Sequence, residues 1–290
     1  MPTLSVIVPT RNRADLWRRR WLLDSLIAQT DQPDELVITL DHPEDDTLDT
    51  IQDQLEHHRP GFACKLIEVL APRATPMPAS GIPDNCAFHA AAGDIILHVD
   101  DDIYLPPDFC RRMRMLFEDL PPAVVWAQLA FVDADHNRLP SHDGNDCRSW
   151  LAVKHHWQRH PGGLVQMPIR EQVHWGAVFT LCARDLRKIG GHALDHCGWH
   201  NTDTRLGNRL ARSGINSYLT TLPETSALHL GKTWYAQHAR EPLAIRYSQG
   251  TTTGPRIANG GLAFWSSDWF KTAYREIITL DAGNPDTTIN

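Results

Sequence analysis

Three consecutive carboxylates, Asp100-Asp101-Asp102, directly follow a short apolar run of Ile95, Ile96, Leu97 and Val99 bounded by Gly93 and Pro106-Pro107. A run of that length and composition predicts a strand covered on both faces. In open α/β sheets, ligands sit just past the carboxyl ends of the strands, and the triplet falls there. Adjacent carboxylates repel, and a bound cation is the usual reason to place them together. Hard divalent ions such as Mn²⁺ or Mg²⁺ take oxygen ligands, often one or two carboxylates plus substrate phosphates. Side chains alternate along a strand, so Asp100 and Asp102 should share a face while Asp101 points elsewhere. An isolated Asp-x-Asp is most often a solvated turn; the buried strand running into this one raises it above that.

The elements that would hold the triplet follow a βα rhythm. Leu4 to Val8 form a first apolar strand ending at Pro9-Thr10-Arg11-Asn12. Asp15 to Gln29 carry Leu16, Leu22, Leu23, Leu26 and Ile27 on roughly one helical face, and Pro33 closes that helix. Leu36 to Leu40 make a second strand ending at Asp41, and a short helix around Leu48 to His57 leads to a third strand, Lys65 to Leu70. Strand and helix in alternation predict a parallel sheet with right-handed crossovers. Ala71 to Pro83 read as a loop with a single charge, Arg73, and Asp84 to Ala92 as a short helix whose small residues pack closely on the sheet. Further on, Ala123 to Val132 and His174 to Leu181 read as strands, and Asp133 to Gly163 as a long polar excursion. From Glu241 the chain reads as a lid with Gly254-Pro255 and Gly260-Gly261, an amphipathic piece from Phe264 to Ile278, and a frayed tail.

A chain of 290 residues can bury one large core or two small ones. Its net charge of −7 excludes a globally basic surface for nucleic acid or anionic lipid. No window is apolar enough to span a membrane, and the chain enters a strand without a charged, apolar leader. Six scattered cysteines with no Cys-x-x-Cys pair fit reduced thiols, so a cytoplasmic protein is expected.

Taken together, the motifs resemble the family-2 glycosyltransferases. Ser5-Val6-Ile7-Val8-Pro9-Thr10-Arg11-Asn12-Arg13 is similar to that family's opening strand, and Asn85 with Ala91-Ala92-Gly93-Asp94 through Asp102 to its helix, strand and Asp-x-Asp motif. Ile189-Gly190-Gly191-His192, then Gly198-Trp199-His200-Asn201-Thr202-Asp203 and Arg209-Leu210, resemble its acceptor segment. The resemblance covers about residues 3 to 232. It implies a GT-A type α/β fold, a mainly parallel Rossmann-like sheet flanked by helices with an acceptor-side extension. The expected division is 1–240 for the GT-A domain, with 1–115 the nucleotide-sugar half and 116–240 the acceptor half, and 241–290 for a C-terminal lid, helix and tail.

The resemblance also implies roles. Pro9, Thr10, Arg11, Asp41, Arg73, Asn85, Asp100 and Asp101 would bind the nucleotide sugar; Asp102 and His229 would ligate Mn²⁺ or Mg²⁺; Asp203 would be the general base. The implied activity is metal-dependent, inverting transfer of a sugar from a UDP-, GDP- or dTDP-sugar to the hydroxyl of a saccharide, lipid-linked or small-molecule acceptor. The expected setting is the cytoplasm, including a peripheral place at the inner membrane face, with no nucleic acid and no integral membrane segment. Two positions depart from the family pattern: Thr202 stands where Glu is usual, and His42-Pro43 follow Asp41 in place of Gly-Ser.

Other classes predict other sequences. A nucleotidyltransferase should carry a Gly-rich basic loop after the first strand, and Pro9 to Arg13 contain no glycine. A catalytically silent nucleotide-sugar-binding protein should lack Asp102 or Asp203, and both are present. A zinc site on His192, His196, Cys197 and His200 would need a helix, against which Gly190-Gly191 and Gly198 argue.

Overall fold

The apolar runs of the first hundred residues become the centre of one sheet. In the computed structural model, which describes residues 1–71, 81–132, 157–167, 177–192, 202–230, 270–282 and 288–289, β1 (Leu4–Thr10) lies between β2 (Glu35–Leu40) and β4 (Ile95–Val99), with β3 (Ala63–Val69) beyond β2. All four run parallel. Alternation divides their side chains between two cores. Val6, Val8, Leu36, Ile38 and Leu97 pack with residues of α1 (Ala14–Arg18), α2 (Trp21–Ile27), α3 (Thr47–His58) and α5 (Phe109–Asp119). Ile7, Val37, Ile67 and Ile96 pack on the other face with α4 (Gly81–Ala90). Burial on both faces explains why these strands read as continuous apolar runs.

Beyond β4 the sheet continues through β10 (Val178–Cys182), which is antiparallel to both β4 and β6 (Ala123–Trp126). It then runs on to β11 (Asn216–Thr220), β9 (Leu164–Met167) and β8 (Gln158–His160). A separate sheet of three strands sets β12 (Ser226–Leu230) between β5 (Ile103–Tyr104) and β7 (Gln128–Val132). Among the described residues this half carries α6 (Ala183–Ile189) and α7 (Thr202–Arg212). A one-turn helix, α8 (Phe270–Ala273), leads into β13 (Tyr274–Leu280).

Several boundaries differ from the sequence reading. The expected helix over 15–29 is two helices, because Arg20 adopts φ 57° between them. On one straight helix Trp17 would point about 140° away from Leu22; the break lets both bury. The expected strand over 123–132 splits at Ala127, with β6 staying in the large sheet and β7 leaving to pair with β12. Both halves are apolar, so composition alone could not mark the change of sheet. At the C-terminus, residues 274–280 pair antiparallel with β3, and Thr288–Ile289 (β14) pair with β13, where a helix and a frayed tail had been expected. The polar excursion up to residue 156 and the glycine-rich lid stretch lie outside the described residues. Among the described residues, no helix is long and apolar enough to cross a membrane.

Candidate active site

β4 delivers the acidic triplet to the end of the sheet, where the Asp100 amide donates to the Ala177 carbonyl at 2.8 Å. The chain then turns into β5, and Ile103 pairs with His229 of β12. That short antiparallel register carries His229 to the triplet from far along the sequence. One ligand atom from each of Asp100, Asp102 and His229 lies within 4.8 Å of the others. His229 Nε2 stands 3.6 Å from Asp102 Oδ1. Asp102 and His229 are buried, while Asp100 is partly exposed and gives the cluster a side open to solvent. Two carboxylates and an imidazole form a donor set that could hold a divalent cation.

Asp101 is not a member of that cluster; it lies in the turn that follows β4 and makes its own bonds. Its Oδ2 accepts from Thr10 Oγ1 at 2.5 Å, and Thr10 Oγ1 in turn accepts from the Trp17 indole at 3.2 Å. Its Oδ1 pairs with Arg13 Nη1 at 2.8 Å, while Arg13 Nη2 pairs with Asp102 Oδ2 at the same distance. Burial pushes the Asp101 carboxyl above its ordinary range, and the charge of Asp102 adds to this; Arg13 and the Thr10 hydroxyl oppose it.

The ends of β1 and β2 sit side by side, the Asp41 amide donating to the Thr10 carbonyl at 3.0 Å. Pro9 and Thr10 are the last residues of β1, and Arg11 just beyond them pairs with Glu44 at 3.0 Å. Asp41 is buried, with Oδ1 3.0 Å from Nδ1 of His42. His42 takes φ 51°, the left-handed conformation that the more usual glycine would reach without steric cost. Asn85 is fully buried on α4 and clasps the backbone of His192, donating to its carbonyl at 3.0 Å and accepting from its amide at 2.8 Å. Asp203 is the second residue of α7; its side chain and all of Arg73 lie outside the described residues.

Some of this was missed from the sequence. Arg13 lies in the opening motif, and nothing in the sequence marks it as a partner of the acidic triplet. Asp84 on α4 holds two buried histidines, His98 Nε2 at 3.1 Å and His192 Nε2 at 3.4 Å. The signal was present in the residue order: His98 alternates onto the face of Ile96, where α4 packs. His192 thus faces Asp84 and stacks on Phe88, while His196, Cys197 and His200 of the zinc alternative lie outside the described residues.

Parallel strands continued by a mixed half, with two carboxylates past β4 meeting an imidazole from the second sheet, define a fold of the GT-A type. The chain belongs to glycosyl transferase family 2, whose family model matches residues 5–181. A search of curated proteins finds no match. Solved structures share the fold at low identity. The mannosyltransferase PcManGT from Pyrobaculum calidifontis, in complex with GDP-Man and Mn²⁺, superposes with a TM-score of 0.53 at 19% identity, over 94% of this chain and 70% of that one. Residues 1–349 of S. aureus TarS, in complex with UDP-GlcNAc, give 0.54 at 16% identity, over 79% of this chain and 58% of that one. GalNAc-T7 with UDP, GalNAc and Mn²⁺ gives 0.57 at 13% identity, over 80% and 44%. The chain therefore spans less than two thirds of the latter two proteins.

Proposed function

We propose that the chain transfers a sugar from a nucleotide-diphosphate donor to an acceptor hydroxyl, with a divalent cation and with inversion. The observation that carries this reading is the meeting of Asp100, Asp102 and His229 at the strand ends. The relatives crystallised with nucleotide sugars, nucleotide or Mn²⁺ support it by analogy of fold. Asp102 and His229, with Asp100 at the solvent side, would hold the cation, which when bound neutralises the leaving diphosphate as a Lewis acid. Pro9, Thr10, Arg11 and Asp41 line the neighbouring strand ends and would seat the nucleoside, with Arg73 close to it. Asp203, in the first turn of α7, would take the acceptor proton; a positioned base of this kind contributes ~10²–10⁴-fold. The free thiols of Cys64, Cys86, Cys110 and Cys182 fit work in a reducing cytoplasm. The acceptor is a saccharide, a lipid-linked carrier or a small molecule.

A thermal-shift titration with UDP, GDP and dTDP, with and without Mn²⁺, tests the donor site. A ligand at a hundred times its Kd stabilises the folded state by about 2.7 kcal/mol, so one nucleotide should raise the melting point by about 4 °C in a chain of this size. The shift should require Mn²⁺ and vanish in Asp102→Ala. No shift with any of the three nucleotides would remove the proposal.

A further inference from the structure

Arg13 touches the cation site without belonging to its ligands. Its backbone is fixed at the start of α1, where the Arg13 amide donates to Thr47 Oγ1 at 3.0 Å and the Arg13 carbonyl accepts from the Leu16 amide at 2.9 Å. From there the guanidinium reaches inward and divides its fork between two buried carboxylates, Nη1 on Asp101 and Nη2 on Asp102, each at 2.8 Å. Asp101 is held from its other side by Thr10. Asp102 thus meets Arg13 with Oδ2 and faces His229 with Oδ1. A carboxylate is planar, so fixing one oxygen sets the direction of the other.

We propose that Arg13 is the positioning residue of the cation site: with Asp101 as its anchor, it locks the Asp102 carboxylate in the orientation that binds the metal. The inference rests on reading Asp100, Asp102 and His229 as a divalent-cation site. The acidic triplet is thereby divided in function, Asp100 and Asp102 serving the ion and Asp101 serving Arg13. The guanidinium also offsets one of three adjacent negative charges, so the site presents a net charge that a single divalent ion neutralises. A planar fork can span two carboxylates with a fixed geometry; a lysine ammonium is a point charge on a flexible stem.

The sign of one measurement decides between positioning and simple repulsion. Were Arg13 only a neighbouring positive charge, removing it would tighten binding of a second cation. As a positioning residue, its loss should weaken binding, by about 10–100-fold on the scale of groups that orient metal ligands. The experiment measures Mn²⁺ affinity of the full chain by electron paramagnetic resonance of free Mn²⁺, without nucleotide, in wild type, Arg13→Met, Arg13→Lys and Thr10→Val. Weakened binding in Arg13→Met, partial recovery in Arg13→Lys, and a smaller loss in Thr10→Val, which touches no ligand, are the expected results. Equal or tighter binding in Arg13→Met overturns the inference while leaving the cation site standing. If Arg13→Met does not fold, Arg13→Lys and Thr10→Val decide, and wild-type affinity in both overturns it. Wild-type protein that takes up no Mn²⁺ removes the cation reading and this inference together.

Discussion

Replacing Asn85 with alanine separates two roles that the sequence alone could not. The family resemblance sets Asn85 among the donor-binding residues, whereas its amide is fully buried and pairs with both the amide and the carbonyl of His192. Asn85→Ala removes two hydrogen bonds, each worth a net ~1 kcal/mol, and leaves buried backbone groups partly unsatisfied at a further ~1–3 kcal/mol. A total near 3 kcal/mol should lower the melting point of a 290-residue chain by about 5 °C. Asn85→Asp should be destabilised as well, because it sets a carboxylate oxygen against the His192 carbonyl in place of a donor. Differential scanning calorimetry gives the first number, and calorimetric titration with the nucleotide identified by thermal shift gives a second. The expected Kd for nucleotide in Asn85→Ala stays within about threefold of wild type, since the clasp joins α4 to the segment after α6 and touches no strand end. A variant that melts like wild type yet loses nucleotide affinity tenfold or more would refute this reasoning and return Asn85 to the ligand-binding set.

Two further predictions concern the approach to β4. In Gly93→Ala the new Cβ would lie 2.6 Å from the Ser5 amide nitrogen and 2.7 Å from Ser5 Oγ, against the backbone of the central strand; urea unfolding should show a loss of about 1–3 kcal/mol. Asp94 accepts from the amide and the hydroxyl of Thr3, which hold its carboxyl below the ordinary range. A depressed folded-state pKa contributes stability above the unfolded value and loses it as pH falls toward the folded one. The stability difference between wild type and Asp94→Asn should therefore be constant near neutrality and shrink below about pH 4, as followed by melting points across pH.

What could be read from the sequence and what could not divides along a physical line. β1, β2, β3 and β4 are buried on both faces, so each announced itself as an apolar run, and their parallel pairing followed from the intervening helices. Asp101 is set apart from Asp100 and Asp102 as alternation led one to expect, but in a turn beyond the end of β4 and through its bonds to Thr10 and Arg13. The break at Arg20 leaves no such trace, because arginine is a poor residue for φ 57° and nothing in its neighbours marks the turn. The change of sheet at Ala127 is silent for the opposite reason: the residues on both sides of it are buried. β13 reads as amphipathic because Ile278 is buried, Arg275 and Glu276 are exposed and the rest are partly buried, and a mixed pattern that short fits helix and strand alike.

The candidate site was half legible for the same reason. Its carboxylates are local, beside one strand end, whereas its histidine, which only the family resemblance pointed to, and its arginine arrive through pairings that sequence does not display. β5 is two residues long and would not stand as a strand by itself; its pairing with β12 is what sets His229 opposite Ile103 and so beside Asp102. β12 is in turn held by β7, the strand that leaves the large sheet after Ala127. The departure of β7 thus gives the second sheet its third strand and supports the histidine side of the site. Arg13 reaches the same carboxylate from the β1–α1 turn, on the opposite side of the fold's sequence order. Asp102 is therefore the point where three separately built elements meet. Substitutions that shift β7 or β12 should disturb the candidate cation site as surely as those in the acidic triplet, although neither strand carries a carboxylate.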